Sequence, residues 1–126
     1  MSCLFQSLAT FVKVSADDLR RQTCQYLSTD PVIIQPDAKA SDVIKFQPDI
    51  PSSTLEEYVR AMSFQNTNGG AIEIVVFCSL YSRNVRVVQC GTRQGNMPIE
   101  FISNLSNPWI TISWNGGHYE PSYEPA

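Results

Sequence analysis

The run "AIEIVVFCSLY", residues 71–81, limits what this chain can fold into more than any other stretch. It is apolar on all sides, so it must be buried on all sides. Its β-branched residues suggest a strand, but a run this long without Gly or Pro suits a buried helix, and of the two the helix is expected. It also carries Glu73 and falls well short of the roughly 20 uninterrupted apolar residues that a membrane-spanning helix needs.

The segments before it read as helices. Leu4, Leu8 and Phe11 fall at helical spacing and predict a first helix over 4–14. In "SADDLRRQTCQYLSTDP", Ser15 is placed to cap a second helix, Asp17 and Asp18 favour its positive end, and Asp30-Pro31 stops it. Residues 31–52 hold Pro31, Pro36, Pro48 and Pro51 without a sustained period, which predicts an irregular connection or a short strand or two. In "STLEEYVRAMSF", Ser53 or Thr54 begins a capping box closed by Glu56 or Glu57, and Leu55, Tyr58, Val59 and Met62 share one face of a third helix. The segments after the run read as strands: "NVRVVQC", "PIEFIS" and "PWITISW", the last with Ile110, Ile112 and Trp114 on one face and Thr111 and Ser113 on the other. Helices first and strands last point to an α+β fold.

A chain of 126 residues suits one domain with one core. Its 43% hydrophobic and 17% charged residues exclude a disordered chain. The net charge of −3, with scattered basic residues, argues against nucleic acid as a partner. No basic leader or long apolar segment points to export or to a membrane. One histidine and no C-x-x-C pair give no recognisable zinc pattern, and neither a metal nor a cofactor is expected. Without an export signal, Cys3, Cys24, Cys78 and Cys90 are read as thiols of a reducing, cytoplasmic protein, and a monomer is expected.

His118 is the lone histidine, placed after the strand ending at Trp114 and the Asn115-Gly116-Gly117 turn. One reading is a polar residue in a surface turn. The other is a general base, held by a strand and exposed by a flexible turn. Glu120, two residues on, lies on the same face of an extended segment, where it can accept an imidazole N–H; its alternative is a solvated acid in a Pro-rich tail. Among possible nucleophiles, Cys24, Cys78 and Cys90 sit in segments expected to bury them. Cys3 directly precedes a helix, whose free N–H groups and dipole favour a thiolate. The serines are too numerous to exclude, but none has comparable local support.

Taken in order, "SCLFQSLA", "LRRQTCQYLSTDP", "LEEYVRAMSFQNTNGGAIEIVVFCSLYSRNVRVV" and "ITISWNGGHYEPSY" resemble the ovarian-tumour (OTU) family of deubiquitinating cysteine proteases over almost the whole chain. The family has a Cys-Leu-aromatic nucleophile motif, a Leu-Arg helix, a Tyr-x-x-Met helix, a Gly-Gly-x-x-Glu helix and a final strand ending in His-Tyr. The resemblance implies a small mixed β-sheet flanked by helices in a single OTU-like domain over 1–126. It makes Cys3 the nucleophile, His118 the base and Glu120 the orienting group, where the family usually has Asn or Asp. Asn68 stands where many members carry a tryptophan. The family's Asp-Gly ahead of the cysteine is missing, since only Met1 and Ser2 precede Cys3, so the domain is expected to be truncated just before the nucleophile loop. Losing one oxyanion donor costs roughly a hundred- to a thousand-fold in turnover.

The implied function is thiol-dependent hydrolysis of isopeptide bonds after the C-terminal Gly of ubiquitin or a ubiquitin-like protein. Trp114, Gly116, Gly117 and Tyr119 would line a narrow channel for the substrate tail, with core packing as the alternative for Trp114. The alternative functions are a weak or inactive ubiquitin-binding module and a scaffold unrelated to ubiquitin. The ubiquitin surface is expected to meet the 31–52 segment or the helix from Thr54.

Overall fold

The computed structural model describes residues 3–47, 50, 52–89, 98–115 and 118–122, with the side chain of Cys3 outside that set. Cys90, Gly116 and Gly117 also lie outside the described residues. The elements run α1 (Cys3–Ala9), α2 (Ala16–Leu27), β1 (Val32–Ile34), β2 (Ala38–Lys39), α3 (Ala40–Val43), a 3-10 turn (Ile44–Phe46), α4 (Leu55–Met62), α5 (Ala71–Tyr81), β3 (Asn84–Gln89), β4 (Ile99–Phe101), β5 (Trp109–Trp114) and β6 (Tyr119–Ser122).

The long apolar run is the central helix, α5. It buries Ile72, Glu73, Ile74, Val76, Phe77 and Cys78. It packs on α2 on one side and on β1, β3 and β4 on the other. The two expected caps form: Ser15 Oγ accepts the Asp18 N–H at the start of α2, and Thr54 Oγ1 accepts the Glu57 N–H at the start of α4. Tyr58 and Met62 point from α4 into the core, as their spacing predicts. Cys24 and Cys78 are buried free thiols.

One expectation needs correction, and two gain detail. The first helix ends at Ala9 rather than at Val14. Lys13 takes a left-handed conformation (φ 59°) and its N–H closes back on the Ala9 carbonyl, a turn that stops the helix and redirects the chain into the Ser15 cap. The 31–52 segment contains the expected strands, paired as a β1–β2 hairpin, and adds the short α3 and 3-10 turns that its prolines had masked. Of the two readings of the stretch after His118, the extended one holds: it is the edge strand β6, paired antiparallel with β5, and not a solvated tail.

The main sheet has the order β4-β3-β5-β6, with β3 and β5 parallel and the outer pairs antiparallel. The register sets Val85, Val87, Ile110, Ile112, Trp114 and Tyr119 on the face toward the helices, and Arg86, Trp109, Thr111, Ser113 and Glu120 on the other. On that second face Arg86 lies over the Trp109 ring at 4.9 Å and its Nη2 pairs with Glu100 at 2.8 Å.

Asn84, fully buried, fixes the return from β4 to β5. Its Nδ2 donates to the Asn104 and Asn107 carbonyls (2.8 and 3.0 Å), and its Oδ1 accepts the Ser103 N–H at 2.8 Å. Asn84→Ala leaves these three backbone groups to find water, so it is expected to cost about 2–3 kcal/mol in urea unfolding. Because β5 leads into His118, the same change also loosens the support of that residue.

Candidate functional site

The β5–β6 hairpin presents His118. Trp114 pairs with Tyr119 across it, their ring centroids 6.3 Å apart. Between them the Asn115 N–H donates to the His118 carbonyl at 3.2 Å, and Asn115 Oδ1 accepts the His118 N–H at 2.9 Å. Asn115 therefore holds both ends of the turn. Its side-chain role was not evident in the sequence, where it read only as a turn residue.

The His118 Nε2 lies 3.5 Å from Glu120 Oε1, with the two side chains 46% and 66% exposed. The extended backbone of β6 puts both on one face. The distance suits an ion pair with the protonated ring rather than a short hydrogen bond, and the exposure leaves it screened by solvent. Such a pair steers the ring more than it stabilises the fold. Tyr119, between them, points to the opposite face, where it packs with Trp114 against the core. Trp114 is thus a packing residue of the sheet as well as a candidate channel residue.

Cys3 is the first residue of α1, and α1 packs against β6. The next two residues, Leu4 and Phe5, are buried. Their neighbours are the segment that leads into α5. A Cβ on Gly69 would stand 2.8 Å from Leu4 Cδ2 and 3.2 Å from Phe5 Cε2, so only glycine allows the backbone this close to the first turn of α1. The first of the two glycines before the central helix, Gly69, is therefore a packing requirement against the residues after Cys3.

Two buried charged residues support this arrangement. Arg20, 3% exposed, lies over the Phe5 ring at 4.4 Å. Its Nη1 donates to the Met62 carbonyl (2.7 Å) and its Nη2 to those of Gln65 (3.2 Å) and Thr67 (2.8 Å). Glu73 accepts the Gly70 N–H on Oε1 and the Tyr58 O–H on Oε2, each at 2.7 Å. Burial raises the pKa of its carboxyl, against the opposing pull of the Tyr58 hydroxyl and the Gly70 amide. The sequence signal for Glu73 was its standing as the one charge in an apolar run. For Arg20 it was a place beside Leu19 on the inward face of α2.

Among the described residues no group of three or more His, Cys, Asp or Glu side chains could hold a metal ion, and no helix is long and apolar enough to cross a membrane.

A family model described as OTU-like cysteine protease matches residues 2–119. Among solved structures, the OTU domain of OTUD1 superposes with a TM-score of 0.68 at 18% identity, over 97% of this chain and 79% of that one. An ovarian tumour (OTU) domain in complex with ubiquitin gives 0.65 at 25% identity, over 95% of this chain and 62% of that one. The viral OTU domain protease from Dera Ghazi Khan virus gives 0.70 at 11% identity, over 94% and 72%. Among curated proteins no sequence matches.

Proposed function

The chain belongs to the OTU-like cysteine protease family, and from that premise we propose that it hydrolyses the isopeptide bond after the C-terminal Gly of ubiquitin or a ubiquitin-like protein. The observation that carries this reading is the His118–Glu120 pair at the start of β6, the strand on which the helix that opens with Cys3 packs. The neighbour solved in complex with ubiquitin supports the choice of substrate.

In this mechanism Glu120 engages Nε2, so Nδ1 is the nitrogen that takes the Cys3 proton. The thiolate attacks the Gly carbonyl carbon and an oxyanion forms. On its collapse the C–N bond breaks, and the imidazolium gives its proton to the departing lysine amine. Water, deprotonated by His118, then attacks the thioester and releases the Gly carboxylate and the free thiol. Trp114, Gly116, Gly117 and Tyr119 are the proposed walls of the channel for the Gly-Gly tail. The cytoplasm, where free thiols persist, is the proposed location.

The test is incubation with ubiquitin carrying a C-terminal electrophile, followed by mass spectrometry. A single adduct on Cys3 supports the hydrolase. Reversible ubiquitin binding without an adduct overturns it in favour of a binding module, and no binding to any ubiquitin-like protein removes ubiquitin as partner.

Glu120 has a limited role in this scheme. Glu120→Ala is expected to lower kcat/KM about two- to fivefold, the scale of a solvent-screened pair, and the loss should shrink as salt is raised. Turnover that is unchanged at low salt would remove Glu120 from the site.

A further inference from the structure

Glu73 is a buried ionisable side chain that this chemistry leaves without a task. At 1% exposure it carries the cost of a desolvated carboxyl, and an apolar residue at the same place on α5 would not. Its position in the first turn of α5 explains one partner, the Gly70 N–H, as a helix cap. It does not explain the second, the Tyr58 hydroxyl reaching from α4. Together the two bonds tie α4, the start of α5 and the backbone at Gly70 to one carboxyl group.

The neighbouring peptide is where this matters. Gly69 is wedged between Glu73, whose Cγ is 3.5 Å from the Cβ position, and Leu4 and Phe5 in the first turn of α1. Phe5 is covered by the Arg20 guanidinium, which donates to carbonyls at Met62, Gln65 and Thr67, in the same connecting segment. One segment, 62–70, thus contacts the start of α1 directly at Gly69 and through Arg20 at Phe5. Glu73 anchors the end of that segment nearest to Leu4.

We propose that Glu73 is a positioning residue: by holding Gly70 and Gly69 it sets where the first turn of α1, and with it Cys3, stands relative to the His118 hairpin. The inference rests on Cys3 being the nucleophile. Without the carboxyl, Gly69 is free to withdraw from Leu4 and the helix start can follow. Misplacement of a reacting group by about 1 Å costs on the order of a hundredfold in rate.

The experiment compares Glu73→Ala with Glu73→Gln, which fills the same volume and keeps an oxygen for the Gly70 N–H. Three quantities are read at 20 °C on protein shown to be folded by near-UV circular dichroism. These are the rate of capture by the ubiquitin electrophile, the pH profile of Cys3 alkylation by iodoacetamide read by peptide mass spectrometry, and the melting temperature. Folded Glu73→Ala is expected to be captured at least about tenfold more slowly, with its alkylation profile moved toward that of an unassisted thiol, while Glu73→Gln stays within about threefold of the parent. A purely structural residue would lower the melting temperature and leave both thiol readouts unchanged in the folded protein, and that result overturns the proposal. If the parent protein itself is not captured, the deubiquitinase reading falls. The alkylation profile then decides alone: a shift in Glu73→Ala but not in Glu73→Gln upholds positioning, and identical profiles overturn it. Should Glu73→Ala fail to fold, Tyr58→Phe removes one of the two anchors. A loss of about threefold in the same readouts supports the proposal, and no change overturns it.

Discussion

Cys3→Ala is expected to abolish covalent capture by the ubiquitin electrophile, and His118→Ala to lower isopeptide hydrolysis by about 10²- to 10⁴-fold, the usual contribution of a positioned acid–base group. The two losses differ in their dependence on pH. Cys3→Ala removes the reacting atom, so no pH restores capture. In the proposed mechanism His118→Ala removes only the group that makes the thiolate at neutral pH, and an unassisted thiol ionises near pH 8.5. Probe capture by His118→Ala should therefore recover toward alkaline pH. Hydrolysis of a true isopeptide should not recover to the same degree, because the leaving amine still lacks its proton donor. Stopped-time capture and diubiquitin cleavage measured between pH 6.5 and 9.5 check both. Equal hydrolysis by His118→Ala and the parent protein would remove His118 from the mechanism.

Arg20→Ala is expected to be the most destabilising single change named here, about 3–4 kcal/mol, with a fall in melting temperature on the order of 10 °C. The guanidinium satisfies a terminal carbonyl of α4 at Met62 and two carbonyls of the following loop, and its flat face covers Phe5. Alanine removes all four contacts and leaves a cavity beside Phe5. Arg20→Lys tests the geometric part of the argument: a lysine keeps the charge but cannot reach three carbonyls with a planar fork, so it should recover less than half of the loss. Urea unfolding of the three proteins measures this, and a lysine variant as stable as the parent would show that charge alone suffices.

These residues also mark where the sequence was legible. Ser15 and Thr54 cap their helices as their spacing predicts, because a cap needs only a side-chain oxygen and an N–H three residues away. The alternation in β5 places Ile110, Ile112 and Trp114 with the hydrophobic core, because strand periodicity is set by the backbone itself, although Thr111 on the other face is buried as well. The burial of Arg20 and Asn84 has no local signature, since each is satisfied by groups far along the chain, up to 47 residues away for Arg20 and Thr67, and Glu73 draws one of its two partners, Tyr58, from 15 residues away. A local pattern does not record such partners.

The end of the chain shows the same division. Its Pro-rich composition hid β6, yet Pro121 sits opposite Ile112 without disrupting the sheet, because an edge strand can turn a residue that lacks an N–H away from its neighbour. Local chemistry alone determined α2, α4 and their caps, the alternation of β5 and the candidacy of Cys3 and His118. Only the tertiary structure decided that the stretch carrying Glu120 is a strand paired with β5, that α1 packs on that strand, and that Gly69 and Arg20 pack against the residues after Cys3. The first set follows from interactions within a few residues. The second depends on burial and on hydrogen bonds that exist only once distant segments have closed around α5.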